Sequence, residues 1–417
     1  MSPIPSSVRD RSRDKALLIG LQYGGPQSTV GALKTPHRDV VLLKLFLIAY
    51  EGYLEENITV ITDDPADERM RPTKARANIV AAIEDFMHDV QPGDRRVFFF
   101  AGHGYQIVSR TGTEDDNRDE VILVDPAYGE PVCTGTRKTL DPYMLKEGDP
   151  DKKKLEGIIT DNYLREKLVD RLPPGARLVA IFDTCHSGTM LDLDHHWKWQ
   201  RLPRRASRSR SGSGYALVGA SGRHMWLVAR AYGKFLLIAK RRSSARVDAP
   251  VAKPVIELSD CKTWLADAAE RLPCLSPVSE TPRCLSPVSE QPQCLSPVSM
   301  PQLVPAFPRG PGPVVAEVVS ISSAMDKELA WAFEDTMLSV LLDILKESKE
   351  GSRPKMIKVM ERVQLRTRDI RVTLVDQSRG ACGKKRLNDK QVAKTQHAQS
   401  HQFGSMSPWA HLSEFKL

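Results

Sequence analysis

No apolar run in this 417-residue chain approaches the roughly 18 to 20 uninterrupted residues that a membrane span requires. The best candidate, residues 225–239, is cut by Arg230 and Lys234. The first residues carry Arg9, Asp10, Arg11, Arg13 and Asp14 ahead of any apolar core, so neither a membrane protein nor a secreted one is expected. Aromatic residues are scarce at 6%, whereas proline is plentiful at 29 residues. Part of the chain is therefore expected to lie outside any packed core. The seven cysteines, at 133, 185, 261, 274, 284, 294 and 382, are odd in number and form no Cys-x-x-Cys pair. That pattern argues against a disulfide framework and a thiolate zinc site. It fits a reducing, cytoplasmic compartment, with the nucleus as the alternative.

The net charge of +8 suggests nucleic acid until it is located. Residues 201–247 hold 12 of the 60 Lys/Arg and no Asp/Glu, which leaves 48 basic against 52 acidic residues elsewhere. The basic balance thus belongs to one segment, and the rest is slightly acidic. Within that segment the Arg/Ser tract 201–213 lacks interleaved aromatics, so any RNA contact there would be non-specific and salt-sensitive.

The first 200 residues alternate predicted strands and helices. Strands are expected at 16–21, 58–62, 97–101, 120–124 and 178–182, and helices over 39–50, 73–90 and 160–172, with Thr73 and Thr160 as caps. This alternation predicts an α/β fold with a mostly parallel sheet and helices on both faces. Regularity fails after Asp194. Residues 274–279, 284–289 and 294–299 repeat Cys-Leu-Ser-Pro-Val-Ser, and residues 273–313 hold 11 prolines in 41 residues, too many for helix or sheet. We read 201–313 as a basic, Pro-rich disordered insert in which 214–239 has no clear assignment. Order is expected to return with a strand at 314–321, helices over 327–346 and after Pro354, and a closing strand at 415–417.

Two motifs stand directly after strongly apolar runs: Gly102-His103-Gly104 and Asp183-Thr184-Cys185-His186-Ser187-Gly188. In a parallel sheet, residues just past strand ends gather at the carboxyl edge. His103 and Cys185, 82 residues apart, are therefore expected to meet. A Cys–His pair suits thiol acyl transfer: the imidazole takes the thiol proton and later protonates the leaving amine, while the thiolate attacks the carbonyl. Gly104 and Gly188 permit close backbone approach, and the N–H groups of Gly104 and Cys185 are candidate oxyanion donors. Taken singly, such a Cys is usually a packed thiol and such a His a turn residue. The matched placement carries the reading. His186, beside the Cys, projects elsewhere and is read as structural or orienting.

These motifs resemble the type I metacaspases of fungi and plants, in the caspase-like clan of cysteine peptidases. The pieces that carry the likeness are Ala16-Leu-Leu-Ile-Gly20, Phe98-Phe-Phe-Ala-Gly-His-Gly104, Asp119-Glu-Val-Ile122, Gly157-Ile-Ile-Thr-Asp161 and Phe182-Asp-Thr-Cys-His-Ser-Gly-Thr189. Val319-Ser-Ile-Ser-Ser-Ala324 with residues 328–331 is similar to the start of the family's small-subunit region. The spacing of Gln402, Ser405, Pro408 and residues 415–417 is similar to its C-terminal end. The resemblance implies a caspase-like three-layer sandwich: a disordered N-terminus at 1–14, a large-subunit-like region at 15–200, and a small-subunit-like region at 314–417 that completes the same domain. It makes His103 and Cys185 the catalytic dyad.

Asp183 lies two residues before Cys185, and Asp39 begins the helix after the first strand, so both are expected at the same edge. Two carboxylates there would favour a cationic side chain, and the family similarly prefers Arg or Lys before the cleaved bond. For Asp39 the competing reading is a helix-start carboxylate favoured by the macrodipole. The resemblance also implies activation by Ca²⁺ through Asp119, Asp161, Asn162 and Asp192, whose hard oxygens suit that ion. Helix caps and solvated loop acids are the alternative. The family commonly shows an Asp pair where this chain has Asp161-Asn162, so weaker binding is expected.

The chain also departs from the family. Thr35-Pro-His-Arg-Asp39 lacks the Cys often found before the first-helix Asp, and Phe333-Glu-Asp-Thr336 replaces the small residues expected after Trp331. The long insert offers Arg/Lys sites for self-cleavage, and Ser276, Ser286 and Ser296 precede prolines that proline-directed kinases could read. The expectation is a monomeric, calcium-stimulated cysteine endopeptidase that cuts protein or peptide substrates after Arg or Lys. The alternative is a catalytically silent caspase-like scaffold that binds partners through the insert.

Overall fold

Strands that are apolar at every position need cover on both faces, and the structure provides it. The computed structural model describes residues 11–26, 28–70, 74–110, 117–129, 139–201, 215–221, 224–231, 234–241, 316–324, 335–347, 353–380, 401–407, 410 and 413–417. The expectations for residues 1–10, the Arg/Ser tract beyond Arg201, the hexamer repeats and the helix start at 327 lie outside these residues.

The chain forms two compact units, one of residues 1–199, 220–222 and 311–417, the other of residues 200–219 and 223–310. In the first, β1 (Lys15–Gly20), β2 (Ile58–Thr62) and β3 (Arg95–Ala101) are followed by β4 (Gly104–Val108), β5 (Arg118–Leu123) and β6 (Ile158–Thr160), then β7 (Arg177–Asp183) and β8 (His195–Arg201). In the second, the described residues form β9 (Tyr215–Ser221), β10 (His224–Ala231) and β11 (Lys234–Arg241), with β10 and β11 pairing antiparallel. Back in the first unit come β12 (Glu317–Ser322) and β13 (Gln402–Ser405). Seven of its strands line up in the order β8-β13-β12-β7-β3-β1-β2. The run from β12 to β2 is parallel, and β13 and β8 join antiparallel at one edge.

The helices are α1 (Pro36–Phe46), α2 (Ala75–Phe86), α3 (Asp161–Leu164), α4 (Met337–Lys346) and α5 (Met356–Gly380). α1 and α3 each continue through a wider π turn, to Glu51 and Val169. Thr160 and Thr336 cap α3 and α4 by accepting from Tyr163 N and Ser339 N, both at 3.2 Å. Alternate strand residues face opposite ways. Leu17, Phe98, Phe100 and Phe182 bury against Ile79 and Ile83 of α2 and Leu164 of α3. Leu18, Phe99 and Ile181 are buried on the other face, which α1 covers, with α4 packed on α1 and α5 on α4. The three-layer α/β architecture predicted from the sequence is thus the one observed.

Two expectations are corrected. The strand expected at 120–124 belongs not to the parallel sheet but to a separate antiparallel one, β4-β5-β6. β4 begins two residues after β3, far short of the dozen or so that a parallel crossover needs. The closing strand expected at 415–417 is absent among the described residues. Glu414 makes a single bridge to Lys355, and β13 completes the sheet instead. Within the insert, the apolar stretch left without an assignment holds β9, β10 and β11.

At the amino edge of the sheet, Arg95 is nearly buried. Its guanidinium meets Asp14 at 2.9 Å, Glu51 at 3.3 Å and the Leu417 carbonyl at 2.9 Å, and it stacks over the Tyr53 ring at 4.8 Å. Removing one partner of a buried ion pair strands the others without compensation. Arg95→Met is expected to lower stability by about 3 kcal/mol in urea unfolding, with the native fold retained.

Candidate active site

β3 and β7 are neighbours in parallel register, with Ala101 opposite Asp183. Each chain then runs two residues further, to His103 and to Cys185. Both are half-buried, so neither is sealed beneath the surface. The two segments touch: a Cβ at Gly104 would lie well inside contact distance of the Cys185 carbonyl oxygen and Thr184 Oγ1. The Gly104 segment therefore lies against the Thr184-Cys185 segment. His186 has φ 52°, in the left-handed region, which turns the chain directly after the Cys.

His103 is the hinge between β3 and β4 and is held on several sides. Its N–H donates to Tyr23 Oη at 2.9 Å, and its carbonyl accepts from Leu123 N at 3.0 Å. The Tyr23 ring lies 4.6 Å from the imidazole. Tyr23 Oη in turn donates to the Leu123 carbonyl at 2.7 Å. Burial raises the phenol pKa well above its ordinary value, so Tyr23 remains a neutral donor. His103 Nε2 lies 2.6 Å from the Gly31 carbonyl oxygen. A carbonyl only accepts, so Nε2 carries the proton and Nδ1 keeps the lone pair.

The Cys185 loop is pinned from the small-subunit-like region. Ser187 Oγ donates to the Thr184 carbonyl at 2.9 Å, Ser322 Oγ to the Ser187 carbonyl at 2.5 Å, and Ser323 Oγ to the Thr184 carbonyl at 3.2 Å. Gln402 Nε2 reaches the Gly188 carbonyl at 3.0 Å. Sequence reasoning missed Tyr23, Gly31, Ser322 and Ser323. They act through hydroxyls or main-chain carbonyls on loops and strand ends, and no spacing rule marks such groups.

Asp39 and Asp183 also come together. Asp39 is buried, and its Oδ2 has no hydrogen-bond partner. Burial pushes its pKa up to about 6, against the pull of Arg38, whose Nη2 sits 3.1 Å from Oδ1. Asp39 does lie in the first turn of α1, where the macrodipole favours a carboxylate, but burial outweighs that help. Asp183 is pushed up to about 7 by burial and then by the nearby charge of Asp39, with Ser323 and Leu338 N partly offsetting.

Of the four expected cation ligands, Asp161 and Asp192 are close enough to interact. Asp161 is fully buried and accepts from Glu120 N and Asn162 N, each at 2.6 Å. Burial, then Asp192, then Glu120 raise its pKa well above the ordinary carboxylate range. Asp119 is buried with Oδ1 unpartnered, whereas Asn162 enters the group through its backbone N–H. Glu120, which the sequence reading did not name, accepts from Gln106 at 2.7 Å and from Thr189 Oγ1 at 2.9 Å. Among the described residues no group of three or more His, Cys, Asp or Glu side chains stands ready to hold a metal ion. Among them, too, no helix is long and apolar enough to cross a membrane.

The family model for the metacaspase, peptidase C14 domain matches residues 14–129 and 148–194. The chain is similar to Metacaspase-1 of Yarrowia lipolytica, 35% identical over 208 residues, which are 50% of this chain and 38% of the relative. It is also similar to Metacaspase-1A of Aspergillus terreus, 33% identical over 211 residues, 51% of this chain and 44% of the relative. Metacaspase-1 of Cryptococcus neoformans var. neoformans is 36% identical over 184 residues, 44% of this chain and 33% of the relative. The matches therefore span less than half the length of these curated relatives.

The contact at Gly104 makes a test of the geometry that needs no substrate. Gly104→Ala forces the two motifs apart and is expected to cost about 1 to 3 kcal/mol in urea unfolding. Unchanged stability would mean that the segments do not abut.

Proposed function

We propose that this chain is a metacaspase-type cysteine endopeptidase, with the region that the peptidase C14 model matches at 14–129 and 148–194 as its catalytic part, and that it cuts after Arg or Lys. The observation that supports the reading is the hydrogen bond from His103 Nε2 to the Gly31 carbonyl, at the end of the strand that neighbours the one leading to Cys185. With Nε2 committed to Gly31, Nδ1 is the nitrogen free to take the Cys185 proton. The thiolate attacks the substrate carbonyl, and the N–H groups of Gly104 and Cys185 are the proposed donors to the oxyanion. The imidazolium then gives its proton to the leaving amine, and water hydrolyses the thioester in the reverse sense.

Asp39 and Asp183 support the choice of a cation. Both carboxyls are hard to ionise because they are buried beside each other, and a substrate guanidinium would supply the missing positive charge. Ionisation must precede that pairing, so affinity for an Arg side chain rises with pH through about 6 and about 7. Purified protein is expected to hydrolyse Arg-containing peptides, with kcat/KM falling on acidification through that window, and Cys185→Ala is expected to be inert. No hydrolysis at any pH by the folded protein would leave a silent scaffold as the reading.

The acidic group around Asp161 fits a hard dication in charge and in donor type: a buried carboxylate raised by Asp192 and Glu120. No cage is preformed, so the proposal rests on charge rather than on geometry. Asp119, Asp161 and Asp192 would hold Ca²⁺, with Asn162 offering a neutral oxygen. The ion would neutralise the group that Glu120 links, through Thr189, to the loop four residues past Cys185. A raised carboxyl pKa means that the folded state binds more protons than the unfolded one, so its stability contribution is lost as pH rises beyond the ordinary carboxylate range. Without calcium, Tm is expected to fall over that rise, and millimolar Ca²⁺ is expected to restore it. In Asp161→Asn both effects should shrink, and a flat calcium response in the parent protein would remove the proposal.

A further inference from the structure

We propose that Asp63 is a positioning residue for the imidazole of His103, acting through the Gln22-Tyr23 backbone. The proposal rests on the peptidase reading only for what the imidazole does. Asp63 directly follows β2, at the same carboxyl edge as His103. Its Oδ1 accepts from Gln22 N at 2.7 Å and lies 2.6 Å from His37 Nε2, and its Oδ2 accepts from Tyr23 N at 2.5 Å. Burial works against this charge, yet the three hydrogen bonds outweigh it and hold the carboxyl below its usual range.

The backbone held in this way is strained. Tyr23 has φ 58°, a conformation that bulky residues seldom adopt unless their surroundings impose it. In that conformation the phenol reaches under His103, with Oη on the backbone N–H and the ring against the imidazole. The same segment serves the second anchor. Gln22 O accepts from Leu33 N at 2.7 Å, and Gln22 Nε2 donates to the Lys34 carbonyl at 3.0 Å. These bonds tie down the loop whose Gly31 carbonyl receives His103 Nε2. Both anchors of the imidazole thus run through residues 22 and 23, and Asp63 fixes those two residues. None of these groups belongs to the acidic pair proposed to select the substrate, so a loss should fall on the chemical step rather than on binding.

The test is alkylation of Cys185 by iodoacetamide in the full chain, followed from pH 5 to 10 by peptide mass spectrometry, beside hydrolysis of an Arg peptide. In Asp63→Asn the midpoint of alkylation is expected to rise by about one pH unit, toward that of an unassisted thiol. The corresponding loss of kcat is about 10- to 100-fold, with KM within about threefold. Arg95→Met serves as the control for stability alone and should keep the parent midpoint. A parent-like midpoint and kcat in folded Asp63→Asn would overturn the proposal, as would an equal shift in Arg95→Met. Should Asp63→Asn fail to fold, Tyr23→Phe decides, since it deletes one oxygen and should move the midpoint in the same direction. A shifted midpoint in a chain that cleaves no peptide would uphold this inference and sink the peptidase reading. Turnover with an unshifted midpoint would do the reverse.

Discussion

Everything at the candidate site depends on one backbone register, the parallel pairing of β3 with β7 that sets Ala101 opposite Asp183. Two residues beyond that pair, a histidine and a cysteine emerge on adjacent strands, with a glycine at 104 because no side chain fits against the Cys185 carbonyl. A slip of one residue would turn each side chain to the other face of the sheet. The register is held by burial on both faces of β3 and β7, whose apolar cores are residues 97–101 and 178–182. Packing energy far from the site therefore supplies its precision.

A second constraint is electrostatic. Carboxylates come together twice: Asp183 beside Asp39, whose Oδ2 has no hydrogen-bond partner, and Asp161 against Asp192 and Glu120. Burial disfavours charge in both groups, and the proposed cations, one on a substrate and one as an ion, would offset that cost. Asp63 offers the contrast. It is fully bonded and ionised, and it orders the backbone.

How much of this was legible in the sequence follows from the same physics. Strands buried on both faces are written as unbroken apolar runs, so β1, β3 and β7 and the residues at their ends could be found. β4 and β13 could not: Gly104-Tyr-Gln-Ile-Val and Gln402-Phe-Gly-Ser are short and mixed in polarity. Asp183 was visible as a charge at a strand end and Asp39 as one at a helix start, and Asp63 stood at a strand end too but carried no nucleophile to draw attention. Tyr23 and Gly31 were invisible because one works from a strained loop and the other through its main chain. Glu120 was not named as a site residue because the resemblance pointed to its neighbour Asp119.

The most direct measurement is the pH dependence of Cys185 alkylation in the parent chain and in His103→Ala. An imidazole poised beside the sulfur stabilises the thiolate, so the parent midpoint is expected well below the roughly 8.5 of an ordinary thiol, moving up toward it in the variant. Identical ordinary profiles in both proteins would mean that the two side chains do not communicate, and would contradict the account.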